Sequence, residues 1–147
     1  MKSNVWSIAC SALCVMVLSH NQLGANETSA MKVRITVGNE VLTATLLDTE
    51  TSRDFMSILP LTLRLKDYAS AEKIGYPPRK LSAKQAPPGY APFIGDIAYY
   101  SPWGNVAIFY KDAGYAKGLI KLGNLDSGVE KLAGKQGEFE AVFEALD

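Results

Sequence analysis

The sequence predicts a mainly β protein, a closed antiparallel β-barrel with two short helices. Three observations predict it. Short runs in which polar and apolar residues alternate recur from residue 31 to the end of the chain. Gly, Pro, Asn and Asp punctuate these runs at close intervals, so tight turns join them. About 120 residues follow the N-terminal leader, enough for one core and one domain, and only two segments in them carry a helical pattern.

The elements follow in order. Lys32 to Val37 alternates and reads as a half-buried strand, Gly38-Asn39 is a turn pair, and Val41 to Leu47 completes a hairpin. Thr51 with Asp54 three residues on is a capping-box variant, Phe55, Ile58 and Leu59 make an apolar stripe, and Pro60 stops the run, which predicts a helix over 51–59. Leu61 to Leu65 alternates again, and Ala71 to Tyr76 is a fourth strand ended by Pro77-Pro78. A loop rich in Pro, Gly, Lys and Ala runs to Pro92. Gly95-Asp96 turns the chain into the strand Ile97 to Tyr100, Pro102-Trp103-Gly104 turns it again, and Asn105 to Tyr110 returns. Gly118 to Gly123 is a further strand, Asp126 is the expected N-cap of a helix to Leu132, and Glu138 to Glu144 closes the fold with one wet face. Seven or eight strands result.

Residues 1–25 stand apart. Lys2 gives a small positive start, and Val5 to Leu18 is an apolar stretch of signal-peptide length, short against the about 20 apolar residues of a membrane span. Small residues at Gly24-Ala25 and Ser29-Ala30 mark the expected cleavage, after Ala25 with Ala30 as the alternative; an uncleaved N-terminal anchor is the competing reading. A lipoprotein signal is disfavoured because Cys10 and Cys14 lack a Leu-small-small run before them. The expectation is a signal peptide over 1–25, a domain over 31–147 and a secreted or periplasmic location in the cell envelope.

Removal of that segment has a chemical consequence. Cys10, Cys14 and His20 are the only thiols and the only imidazole in the chain. Without them there is no Cys–His nucleophile, no Ser–His–Asp triad, no histidine base and no Cys/His zinc site. Neither a metal nor another cofactor is expected, and the balance shifts toward a binding domain. Residues 1–25 hold one lysine and no acid, so 14 basic and 15 acidic side chains remain. With no basic stripe, nucleic-acid binding is disfavoured, since that affinity is largely phosphate neutralisation. Stable association with an anionic membrane surface is disfavoured for the same reason.

Three strings carry a resemblance: Thr43 to Pro60 (TATLLDTETSRDFMSILP), Gly95 to Tyr110 (GDIAYYSPWGNVAIFY) and Gly118 to Leu132 (GLIKLGNLDSGVEKL). Together they resemble the small bacterial cyclophilin-like domains, over essentially the whole of 31–147. The resemblance implies a cyclophilin-like barrel. It does not carry over the residues of true prolyl isomerases, which have a Phe-His-Arg strand followed by Pro-Gly-Phe. The matching region here, Ala71 to Leu81, reads AEKIGYPPRKL; Arg79 is the nearest substitute for the arginine that would weaken amide resonance, and Phe109 alone has a counterpart on the expected floor.

The candidate residues follow. Tyr99, Tyr100, Trp103, Phe109, Tyr110 and Tyr115 are concentrated in seventeen residues, and alternation turns Tyr99 and Tyr100 to opposite faces. Tyr76, Tyr100, Trp103 and Phe109 are the expected walls of a groove for an extended or proline-containing peptide or a small ligand, against ordinary barrel packing. Arg79 is the candidate catalytic donor, against a solvated loop cation. Asp48, Glu50 and Asp54 suit a helix N-terminus better than a metal. Asp96 and Asp112 are either an acid–base pair or turn residues. Gly123 to Gly128 lacks phosphate-loop spacing and reads as a turn. Three functions stay open: a peptide- or small-ligand-binding module, a weak peptidyl-prolyl isomerase using Arg79, and a small-molecule enzyme using Tyr and carboxylates, for which a carboxylate of strongly raised pKa beside a Tyr is the expected mark.

Overall fold

A computed structural model describes residues 30–147. The expected signal peptide and its cleavage after Ala25 lie outside the described residues. The chain runs β1 (Met31–Val37), β2 (Glu40–Leu46), α1 (Glu50–Met56), β3 (Leu61–Tyr68), β4 (Glu72–Gly75), β5 (Gly89–Tyr90), β6 (Asp96–Tyr100), β7 (Asn105–Phe109), β8 (Ala116–Lys117), β9 (Leu119–Leu125), α2 (Val129–Ala133) and β10 (Phe139–Leu146). Eight strands close into an antiparallel barrel in the order β1-β10-β3-β4-β7-β6-β9-β2, and β5 and β8 pair separately.

The inward positions of alternating strands form the core. Val33, Ile35 and Val37 of β1, Leu42, Ala44 and Leu46 of β2, Leu63 and Leu65 of β3, and Ala141 and Phe143 of β10 are all buried. The partners of these strands in sequence, such as Arg34 and Glu144, face out and pair across β1 and β10. On the α1 side of the barrel, Phe55 meets Phe143 edge to face at 5.9 Å. On the α2 side Leu132 is buried, and the Lys73 side chain, fully buried, donates to Asp67 at 2.8 Å and to the Lys135 carbonyl at 2.6 Å.

Both helices begin elsewhere than their sequence signals suggest. The cap of α1 is Thr49, whose side chain accepts from the Ser52 N–H at 3.2 Å; Thr51 lies inside the helix and is buried. The helix ends at Met56, and tighter bonds from Ile58 N–H to Phe55 and from Leu59 N–H to Met56 carry the last turn toward Pro60. The second helix begins after Gly128, which takes a left-handed conformation. Asp126 is not its cap, because its polar groups are turned to β1 and β2 instead: its N–H donates to Thr43 O at 2.8 Å, and its carboxylate accepts from Thr45 and Lys32.

One part of the barrel is buried on both faces. Along β6 and β7, Ile97, Tyr99, Val106 and Ile108 enter the interior, while Ala98, Ala107 and Phe109 join Ile74 and Leu119 in a second apolar cluster outside it. Such strands read as continuous apolar runs rather than alternation. Tyr90, Tyr100, Ala113 and Ala116 pack over this outer cluster. The covering segments are held by Gly118 N–H to Pro88 O (2.7 Å), Ala113 N–H to Pro92 O (3.1 Å) and Ser101 N–H to Gly118 O (3.0 Å).

Candidate functional site

The cover does not seal. Between it and the outer face of β4, β7, β6 and β9 lies a cavity of about 220 Å³. Its base is Ile74, Phe109 and Leu119, with Asn105 and Glu72 in the wall and Tyr68, Tyr100 and Trp103 as aromatic sides. The paired alanines Ala98 and Ala107 on the same outer face supply no bulk to fill it. Trp103, in the turn between β6 and β7, meets Tyr68 edge to face at 5.3 Å and Tyr100 at 5.4 Å, so three rings hold one another in place at the opening.

Two polar groups in this wall have no counterpart. Glu72 sits opposite Phe109 on β7 and Tyr68 on β3. Burial alone pushes its pKa up to about 7, and it belongs to no ion pair among the described residues. Asn105 is 2% exposed, and its Oδ1 is buried with no hydrogen-bond partner. Under the same cover the Tyr90 hydroxyl is buried beside Asp96; burial, then the nearby Asp96 charge, holds it protonated far above the ordinary tyrosine range.

The sequence-predicted residues divide. Tyr100, Trp103 and Phe109 come together in the cavity. Tyr76 is exposed just beyond β4 and is not in the wall. Arg79 is elsewhere: its guanidinium grips Asp54 of α1 with bonds of 2.9 and 2.7 Å and lines neither this cavity nor a second one beside α1. Tyr99 points inward, and its hydroxyl accepts from the Leu81 N–H at 3.0 Å. Asp48 pairs with Arg53, Glu50 accepts from the Ser82 hydroxyl, and Asp54 holds Arg79 and accepts from the Ser82 N–H, so each of the three acids around α1 is partnered. Asp96 is buried, accepting from Asn124 and the Phe93 N–H and pairing with Lys121 at 2.9 Å; Asp112 accepts from the Ile94 N–H at 2.7 Å. Each secures the loop it ends. Among the described residues no three His, Cys, Asp or Glu side chains gather as metal ligands, and no helix is long and apolar enough to cross a membrane.

Sequence reading missed Glu72, Tyr68 and Asn105. A signal for Glu72 was present: it alternates with Ile74 in a strand otherwise apolar on that face.

The closed eight-stranded antiparallel barrel and the two helices agree with what the chain matches. The model of the cyclophilin-like family matches residues 35–144. The chain belongs to the cyclophilin-like family. The cyclophilin-like barrel is also similar to the solution structure of the hypothetical protein AF2241 from Archaeoglobus fulgidus, at 18% identity and a TM-score of 0.62, over 80% of this chain and 95% of that one. That likeness is one of fold. No curated protein matches this cyclophilin-like chain.

Proposed function

We propose that the chain is an exported binding module that takes a small ligand, or one side chain of an extended peptide, into the outer-face cavity. The observation that carries this reading is the cavity itself, walled by Tyr68, Tyr100, Trp103 and Phe109 with an unpartnered carboxyl and an unpartnered amide oxygen. Buried polar groups are normally satisfied, and aromatic walls with a few convergent polar groups are the usual make-up of a ligand site. At about 220 Å³ the cavity lies below the roughly 300–1,000 Å³ of sites for drug-sized molecules, which suits one side chain or a small molecule. Prolyl isomerisation through Arg79 gains no support, because that guanidinium is committed to Asp54.

The test uses Trp103 as the reporter in a Trp6→Phe chain, titrated with Xaa-Pro peptides and small polar compounds. Saturable change in emission, lost in Tyr100→Ala, supports the module. A flat response across the panel, in a chain that melts cooperatively, overturns it.

A second reading is acid–base chemistry on a small molecule. It is favoured by Glu72, a carboxyl titrating near neutral pH beside Tyr68 and Tyr100 in one cavity. Its mark is exchange of a compound's C–H for deuterium in D₂O, read by proton NMR and abolished in Glu72→Gln.

A further inference from the structure

We propose that the outer-face cavity takes a primary ammonium group on a short apolar chain, with Glu72 as its counter-ion and the rings of Tyr68, Trp103 and Phe109 around the chain. This rests on the reading of the cavity as a ligand site.

The charge pattern of the wall argues for it. None of the twelve lining residues is Lys, Arg or His, and the one formal charge is the Glu72 carboxylate. The nearest cation in sequence, Lys73, points the other way along the strand, into the barrel, where it is fixed on Asp67 and the Lys135 carbonyl. A half-buried carboxylate with no cation of its own is unfavourable until one arrives. The surroundings suit a cation carried on carbon: ring faces attract ammonium groups, and Ile74, Phe109 and Leu119 give the alkyl chain an apolar base. Asn105 Oδ1, with no donor of its own, is an acceptor in the same cavity, four residues along β7 from the Phe109 that faces Glu72. Carboxylate and amide oxygen both accept, so a ligand rich in N–H complements them and an anion does not.

Around Glu72 the titratable groups are few. Tyr90 and Tyr110 both feel its charge and are both held protonated at neutral pH, Tyr110 chiefly by its bond to Asp67. Asp96 lies behind Tyr90 and is paired with Lys121, and Lys73 is paired with Asp67. Glu72 is therefore the group whose ionisation governs ammonium binding between pH 6 and 8, with affinity rising as pH rises through that range.

The experiment titrates the full chain, carrying Trp6→Phe, with n-pentylammonium, 1-pentanol and Nα-acetyl-lysine N-methylamide, reading Trp103 emission. n-Pentylammonium is expected to bind roughly tenfold or more tightly than 1-pentanol at pH 8. That margin should shrink at pH 6 and vanish in Glu72→Gln. Tighter binding of the lysine amide than of the free amine assigns the ammonium to a peptide side chain; the reverse assigns it to a free amine. Equal binding of n-pentylammonium and 1-pentanol keeps the ligand site and overturns the ammonium assignment. So does a response to the neutral peptide panel with none to either amine. Silence from every probe overturns both.

Discussion

Glu72 is held in the folded protein at a cost that depends on pH. Its carboxyl titrates near 4.5 when free of the fold and near 7 within it. Between those values the folded chain keeps a proton that the unfolded chain has lost, so stability falls as pH rises from about 4.5 to 7 and stays reduced above. Partial exposure limits the effect to about 1–2 kcal/mol. Glu72→Gln should therefore be more stable than the parent by about that amount at pH 8 and near-equal at pH 4; urea melts at the two pH values check it. Asp54 shows the opposite sign. The Arg79 hydrogen bond first, with the Ser82 N–H, lowers its pKa from 3.8 to about 2. Its contribution is present above about 3.8 and lost as pH falls toward 2, and the pair's exposure keeps it below about 1 kcal/mol. Acid unfolding of Asp54→Asn should lack that segment of the pH dependence. The residues that line the cavity were only partly legible in the sequence. Trp103, Tyr100 and Phe109 announced themselves by type and by alternation. Glu72 showed only its alternation with Ile74, since its character comes from burial beneath a cover that begins seventeen residues later, at β5.

At the scale of elements, strand positions followed from alternation, while helix starts did not. Thr49 and Thr51 are the same residue type two apart, and Ser52 sits where only the first can reach its N–H. Asp126 looks like a cap, but its backbone is already used by β2. β5 and β8 were missed because two-residue strands carry no period, and they matter because they hold the cover over the cavity. The joint between β2 and β9 depends on one small residue. A Cβ on Gly123 would come within 2.2 Å of the Thr45 carbonyl oxygen and 2.7 Å of the Leu46 Cα, both backbone atoms that cannot give way cheaply. Gly123→Ala should therefore destabilise by about 3 kcal/mol, through separation of the two strands. A denaturant melt gives the loss, and amide exchange should rise first at Leu47, whose N–H is bonded to Leu122 O at 2.8 Å.

For the whole molecule, closure was legible and strand order was not. Seven or eight short strand-like runs in a chain this short leave few ways to hide strand edges other than a barrel. Which strand lies beside which is decided by long-range pairing, above all β1 between its hairpin partner β2 and the final strand β10. Native closure therefore waits on a contact between segments more than a hundred residues apart, such as Lys32 with Leu146, a topology that folds slowly. That same pairing brings the two ends of the domain to one spot on its surface, about 5 Å apart, one strand spacing. A body whose beginning and end coincide is a portable part: it can be spliced into a surface loop of another protein without being pulled open, and it can be cut anew elsewhere. Joining Asp147 to Met31 through a short Gly/Ser linker and opening the chain between Gly137 and Glu138 turns the most distant strand pair into a local hairpin. Such a permutant should keep the parent's unfolding midpoint closely and refold faster in stopped-flow mixing; failure to fold would mean that the order of synthesis, not only the final pairing, shapes this barrel.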